Sequence, residues 1–251
     1  YGNTFVGSAA GTGVTGAKLT GSANTAIGQG AGNDLQGGAG DNVFLGANAG
    51  GQVTTGSYNI LIGHDAGTHD TPITTGANNI IIGNFSDIAS ATGEDAIVMG
   101  YNVTGVGADN FTFGRGTTDS NIAYGATSIT APSDQRYKEE IADATAGLAF
   151  IKDLRPVTFK WKKEKDVPSG HDAYVEGSDT RVMNSSGETN HGFIAQEVKA
   201  AIDNHSDIKD GFDMWSEQGS GGRQRLGPSS LIPILVKAIQ ELEARIAVLE
   251  G

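Results

Sequence analysis

In NVFLGANAG, residues 42–50, three large apolar residues stand between an asparagine and a glycine, and a second small-residue turn follows. The same phrase recurs as NTFVG (3–7), NTAIG (24–28), NILIG (59–63), NIIIG (79–83), DAIVMG (95–100) and NFTFG (110–114). QGAG follows Gly28 and HDAG follows Gly63, as ANAG follows Gly46. The spacing varies between 15 and 21 residues. Self-similarity at such a period is the mark of a solenoid or of stacked strands. Within one copy, the asparagine opens a strand from a turn by bonding nearby backbone. Three or four apolar residues form the strand, and glycine closes it by supplying positive φ or close backbone approach. One copy buries too little surface to stand alone. Stacked copies share a core, and parallel chains can extend it.

The phrase resembles the head repeats of trimeric surface adhesins and the shafts of bacteriophage tail fibres, over residues 1 to about 125. The resemblance implies a rigid spacer, or a fibre whose turns meet a host receptor or glycan. A glycan-degrading spike would need paired carboxylates aimed at a sugar, and Asp65, Asp70 and Asp87 stand apart in loops. His64 and His69, each followed by an aspartate in HDAGTHD, have the spacing of a loop with no third ligand nearby, so no metal is expected.

Composition narrows the rest. The 251 residues contain no cysteine, which removes disulfides and thiolate zinc sites, and no cofactor is expected. No run of about 18 apolar residues exists, so no membrane insertion is expected. The net charge of −12 argues against nucleic acid, whose phosphates need a basic face. YGNTFVGSAAG lacks a basic start and a leucine-rich stretch, and it begins mid-pattern, so a fragment of a longer protein is expected. With no signal peptide read, the N-x-[ST] matches at Asn102, Asn110, Asn184 and Asn204 are not expected to carry glycans. Most of the 38 glycines precede residue 126, whereas most lysines and arginines follow it. The division expected is a repeat region over 1–125, a linker over 126–132, and a second domain over 133–251 with a helix at 229–250.

The second half carries helical and strand patterns. KEEIADATAGLAFIKDL (138–154) places Ile141, Leu148, Ile151 and Leu154 near helical spacing and predicts two helical pieces. VTFKWK (157–162) alternates as a half-buried strand, and 163–190 reads as a long loop, with or without an edge hairpin. HGFIAQEVKAAI (191–202) predicts a helix with Phe193, Ile194, Val198 and Ile202 on its apolar face. MWSEQ and RQRLG predict two strands about GSGG. In SSLIPILVKAIQELEARIAVLEG, Ile232, Ile239 and Ile246 fall seven apart, as do Leu235, Leu242 and Leu249. That is an a/d seam, with Pro233 tolerated in the first turn. Isoleucine at a with leucine at d leans toward two strands. The fibrous repeats lean toward three, and a homotrimer is expected.

Four ordered blocks, SDQRYKEEI (133–141), LRPVTFKWK (154–162), HGFIAQEV (191–198) and LIPILVKAIQELE (231–243), resemble the C-terminal intramolecular chaperone of endosialidases, phage tail spikes and tail fibres. The resemblance implies a trimeric module that guides folding of the fibre before it and then cleaves itself off. The chain would then be a single-turnover serine–lysine endopeptidase acting on itself, made in the host cytoplasm. Its fibre part would end in the virion tail, and the released chaperone would be lost. The alternative is a receptor-binding fibre tip that never cuts. The implied fold is a mainly β repeat, of β-roll or triple-β-helix kind with trimeric stacked strands. An α+β chaperone domain ending in a long coiled-coil helix follows.

Carried over residue by residue, the catalytic serine falls on Ser133 and the lysine on Lys138, with the cut between Ser133 and Asp134. A serine hydroxyl needs a neighbouring base. Lysine serves only when desolvation or nearby positive charge makes its neutral form accessible, and Arg136 is close in sequence. A helix starting at 138 would offer N–H groups to an oxyanion. Ser133 attacking its own carbonyl closes a four-membered ring, whereas attack on the Pro132 carbonyl closes a five-membered one, so the bond and the attacking chain stay open. Ser133 or Asp134 as a simple helix cap is the competing reading. His191, Gln196 and Glu197, in the third block, are either supporting groups or structural ones.

Overall fold

The computed structural model describes residues 2–183, 186–218 and 222–250. Asn184 and most of the GSGG turn lie outside them. The chain divides into two compact units, Tyr1–Glu139 and Glu140–Gly251. Residues 126–132 and the SDQRYK segment thus go with the repeats.

The first unit is a β-solenoid. Each copy of the phrase forms one short strand: β1 (Thr4–Val6), β2 (Thr25–Ile27), β3 (Val43–Leu45), β4 (Ile60–Ile62), β5 (Ile80–Ile82), β6 (Ile97–Tyr101) and β7 (Asn110–Arg115). They pair in sequence order, all parallel and in the same register from copy to copy. The ladder therefore forms within one chain, as in a β-roll. β8 (Thr118–Ala123) then folds back antiparallel on β7 and ends the ladder, a hairpin that the repeat pattern does not announce.

The alternation of a strand explains the phrase. The middle residue of each copy points inward, and Ala26, Phe44, Leu61, Ile81 and Val98 are buried. Its neighbours, among them Val6, Ile27, Leu45, Ile82 and Met99, point outward and stay exposed. The asparagine bonds along the stack rather than to nearby backbone. Asn42 Nδ2 donates to Asn24 Oδ1 (2.9 Å) and to the Gly56 carbonyl (2.9 Å), and Asn59 and Asn79 repeat the arrangement one and two turns on. These asparagines are fully buried, and every donor and acceptor of the column is used, which is what makes polar burial tolerable. The closing glycine is equally specified. At Gly28 φ is +138°, and a Cβ there would lie 2.4 Å from the Gly46 carbonyl oxygen of the next turn.

The second unit is α+β and gathers around Phe150, Val198, Ile202, Met214, Leu231 and Ile234. It comprises α1 (Leu148–Asp153), β9 (Val157–Phe159), β10 (Asn190–Gly192), α2 (Ala195–Asn204), β11 (Trp215–Glu217), β12 (Gln224–Leu226) and α3 (Leu231–Glu250). β9 pairs antiparallel with β10, and β11 with β12. Glu241 on α3 accepts a hydrogen bond from the Leu148 N–H (2.9 Å), supplying the cap that Gly147 cannot.

Four expectations are corrected here. Of 138–154, only Leu148–Asp153 is helical; Ile141 is exposed, so its stretch has no apolar face to pack, and helices this short are not stable without one. HGFIAQEVKAAI divides into strand and helix, which puts His191 on β10. VTFKWK is strand only to Phe159. The C-terminal helix begins at Leu231, after a 3-10 turn at Pro228–Ser230. Among the described residues no helix is long and apolar enough to cross a membrane.

Candidate active site

Ser133 and Lys138 flank a single 3-10 turn, Gln135–Tyr137. Asp134 is its N-cap: the carboxylate accepts from the Arg136 N–H (2.9 Å), and the Asp134 carbonyl accepts from the Tyr137 N–H (3.1 Å). The turn then brings Lys138 back toward its start, and Lys138 Nζ donates to Ser133 Oγ at 2.7 Å. The capping role thus falls to Asp134, and Ser133 keeps its hydroxyl for the lysine. No helix starts at 138, so the expected source of oxyanion donors is not formed; the Arg136, Tyr137 and Lys138 amides donate within the turn itself.

Arg136 is paired with Asp134. Its guanidinium clamps the Asp134 carboxylate, with Nη2 at 2.6 Å and Nε at 3.0 Å from Oδ2. The guanidinium and the Arg136 amide hold the Asp134 carboxyl below its usual range, and the Arg136 pKa is raised in return. The charge that the sequence assigned to tuning the base is therefore matched locally. Both Ser133 and Lys138 are exposed in the single chain.

The remaining candidates lie in the second unit. His191 is exposed on β10, opposite Thr158 of β9. Gln196 and Glu197 are in the first turn of α2. Glu197 accepts from Arg155 Nε (2.9 Å) and also pairs with Nη2, which lowers its pKa. Arg155 thereby ties LRPVTFKWK to HGFIAQEV, and β9–β10 pairing ties them a second time. Nothing in the spacing of the two blocks announced this pair.

The six seam residues, Ile232, Leu235, Ile239, Leu242, Ile246 and Leu249, are 42–86% exposed. The face that α3 buries in its own unit is a different one, made of Leu231, Ile234 and Ala238.

His69 meets a third potential ligand across the stack: His69, Asp70 and Asp87 bring ligand atoms within 4.8 Å of one another. The sequence could not show Asp87 there, because the solenoid period places it. Its carboxylate already accepts from the N–H groups of His69 (3.1 Å), Asp70 (2.6 Å) and Thr71 (3.4 Å). Burial pushes this carboxyl up, and those amides pull it back. It anchors the 69–71 loop to the next turn.

A β-solenoid followed by an α+β module whose last helix has an exposed apolar face is the class these features define. Residues 133–207 match the model of a peptidase family described as chaperone of endosialidase. This match supports a chaperone domain in the C-terminal part of the chain. The match takes in the first three blocks, with Ser133 as its first residue, and stops before α3. Neither the curated proteins nor the solved structures compared with the chain contain a match.

Proposed function

We propose that this chaperone assembles three copies of the chain, aligns their solenoids, and then releases itself by cleavage beside Ser133. The observation that carries the self-cleavage is the 2.7 Å contact between Lys138 Nζ and Ser133 Oγ at the start of the family match. With its amine neutral, Lys138 accepts the Oγ proton while Oγ attacks a carbonyl carbon. The C–N bond breaks, the leaving amine takes a proton, and water hydrolyses the ester. Loss of water around the amine favours its neutral form, and in the single chain both groups are exposed. Assembly is therefore the event that arms the pair.

A cut between Ser133 and Asp134 calls for the hydroxyl of a neighbouring copy, on the ring-size argument above. A cut between Pro132 and Ser133 can occur within one chain. The N-terminus of the released piece, Asp134 or Ser133, distinguishes them.

Two exposed apolar surfaces support the homotrimer: the α3 seam and the outward columns of β1–β6. Among the described residues neither surface is covered within its own unit, and three side-by-side copies would cover both. The chaperone's task is then to bring solenoids together before their outer columns meet wrong partners. The mature fibre belongs in a virion tail, where its turns face a host receptor or glycan. The second reading, an uncut fibre tip, is favoured by the exposure of Ser133 and Lys138.

The chaperone claim is tested by producing the repeats with and without the second half. A chain ending before residue 133 is expected to aggregate, whereas the whole chain gives a soluble trimer. Truncated repeats that trimerise unaided overturn the claim.

A further inference from the structure

We infer that the β7–β8 hairpin positions the Ser133–Lys138 pair, so that cleavage waits for the last turns of the solenoid; the consequence for cleavage rests on the self-cutting reading above. Two backbone hydrogen bonds join Thr130 to the middle of β8: Asn121 N–H to the Thr130 carbonyl and Thr130 N–H to the Asn121 carbonyl, both 2.8 Å. Thr130 Oγ1 also donates to the Asn121 carbonyl (3.3 Å). Ser133 follows three residues later, with Pro132 between them fixing φ.

The far side of the turn borders the same side of the solenoid. Pro132 and Tyr137 line an open cleft with Asp70 of an earlier turn and with Asn102, Thr104, Thr117 and Asp119 of the last turns and the β7–β8 hairpin. The residues bracketing the serine and the lysine are thus placed by the end of the ladder. The hairpin is also the last piece of the solenoid to have a template, because β8 pairs with β7 and β7 with β6. Stacked repeats grow by nearest-neighbour contact. The hairpin holds Thr130 only once β6 and β7 are in place, and until then Ser133 and Lys138 hang on a free loop. Thr130 is a positioning residue: it touches neither reacting group, and it acts through the backbone.

The test uses the full chain in three forms: Thr130→Pro, which removes the N–H; Thr130→Val, which keeps both backbone bonds; and an insertion of two glycines between Thr130 and Ala131, which keeps the bridge and loosens Ser133 from it. Cleavage is followed by gel and intact mass. Thermal unfolding serves as the check that the solenoid stands. Thr130→Pro and the insertion are expected to slow the cut about 10²-fold, the scale of an ångström-sized misplacement, while Thr130→Val cuts as the parent does. Hydrogen exchange of the Tyr137 and Lys138 amides is measured alongside in a Ser133→Ala background, with faster exchange expected for Thr130→Pro. Parental cutting by both Thr130→Pro and the insertion overturns the inference. If the parent chain does not cut at all, the self-cleavage reading fails and the exchange arm alone decides: faster exchange in Thr130→Pro supports the positioning, and unchanged exchange overturns it.

Discussion

Lys138 Nζ and Ser133 Oγ lie 2.7 Å apart on a segment that folds with the solenoid, in the unit Tyr1–Glu139. A cut beside Ser133 therefore severs the chain inside the first unit, six residues before that unit's end at Glu139. The piece that leaves would take with it a turn still seated on the repeats. Release is then a second event after hydrolysis, and the two can be timed separately.

The asparagine column is expected to be the most sensitive polar feature of the solenoid. Asn59→Ala leaves partners of Asn42 and Asn79 unsatisfied in a fully buried stack. Each such group costs about 1–3 kcal/mol, so thermal unfolding should shift downward clearly. Asn48→Ala, which loses an exposed bond to Asp65 and puts alanine at a φ of +54°, should shift it less, because no buried group is left unpaired.

Charge on the α3 seam should separate assembly from folding. Ile239→Glu with Leu242→Glu removes two exposed apolar side chains, each worth about 1.5–3 kcal/mol when buried between chains. Light scattering should show the trimer dispersing while the circular dichroism of each unit persists. Ile234→Glu, by contrast, places charge in the core of the second unit and should unfold it. A monomer or dimer from the unmodified intact chain would reject the trimer.

Glu197 should prove structural. The Arg155 guanidinium lowers its folded-state pKa, so its contribution to stability is present above the ordinary glutamate range and is lost as pH falls through the lowered value. Glu197→Gln should remove that segment of the acid dependence, read by unfolding of the second unit against pH, and leave cutting intact. A loss of cutting with unchanged stability would assign Glu197 to the chemistry.

What the sequence made legible follows from locality. The strand positions of β1–β7 could be read because inward and outward residues alternate within one copy. The exposed apolar face of α3 could be read because a heptad is a local pattern. The asparagine column, the Asp87 anchor and the Asn121–Thr130 bridge were not legible. The first two are contacts between turns, set by the solenoid period rather than by spacing within a motif. The bridge depends on a return strand with no repeat phrase. Residues 138–147 misled in the other direction: their charges and apolar spacing suit a helix, yet 138–145 are exposed and the segment first reaches the core of the second unit at Ala146. In SDQRYK the spacing placed serine and lysine together, as found, but assigned Arg136 to the lysine when its nearest carboxylate is two residues away in Asp134.

The measurement that bears most directly on the central claim is the intact mass of the purified full chain beside its Ser133→Ala counterpart, with Lys138→Arg as a third arm. The account predicts two pieces parting beside residue 133 in the parent and one uncut species in both variants, because arginine keeps its proton and cannot serve as the base. A Ser133→Ala chain that still divides at the parental rate would contradict it.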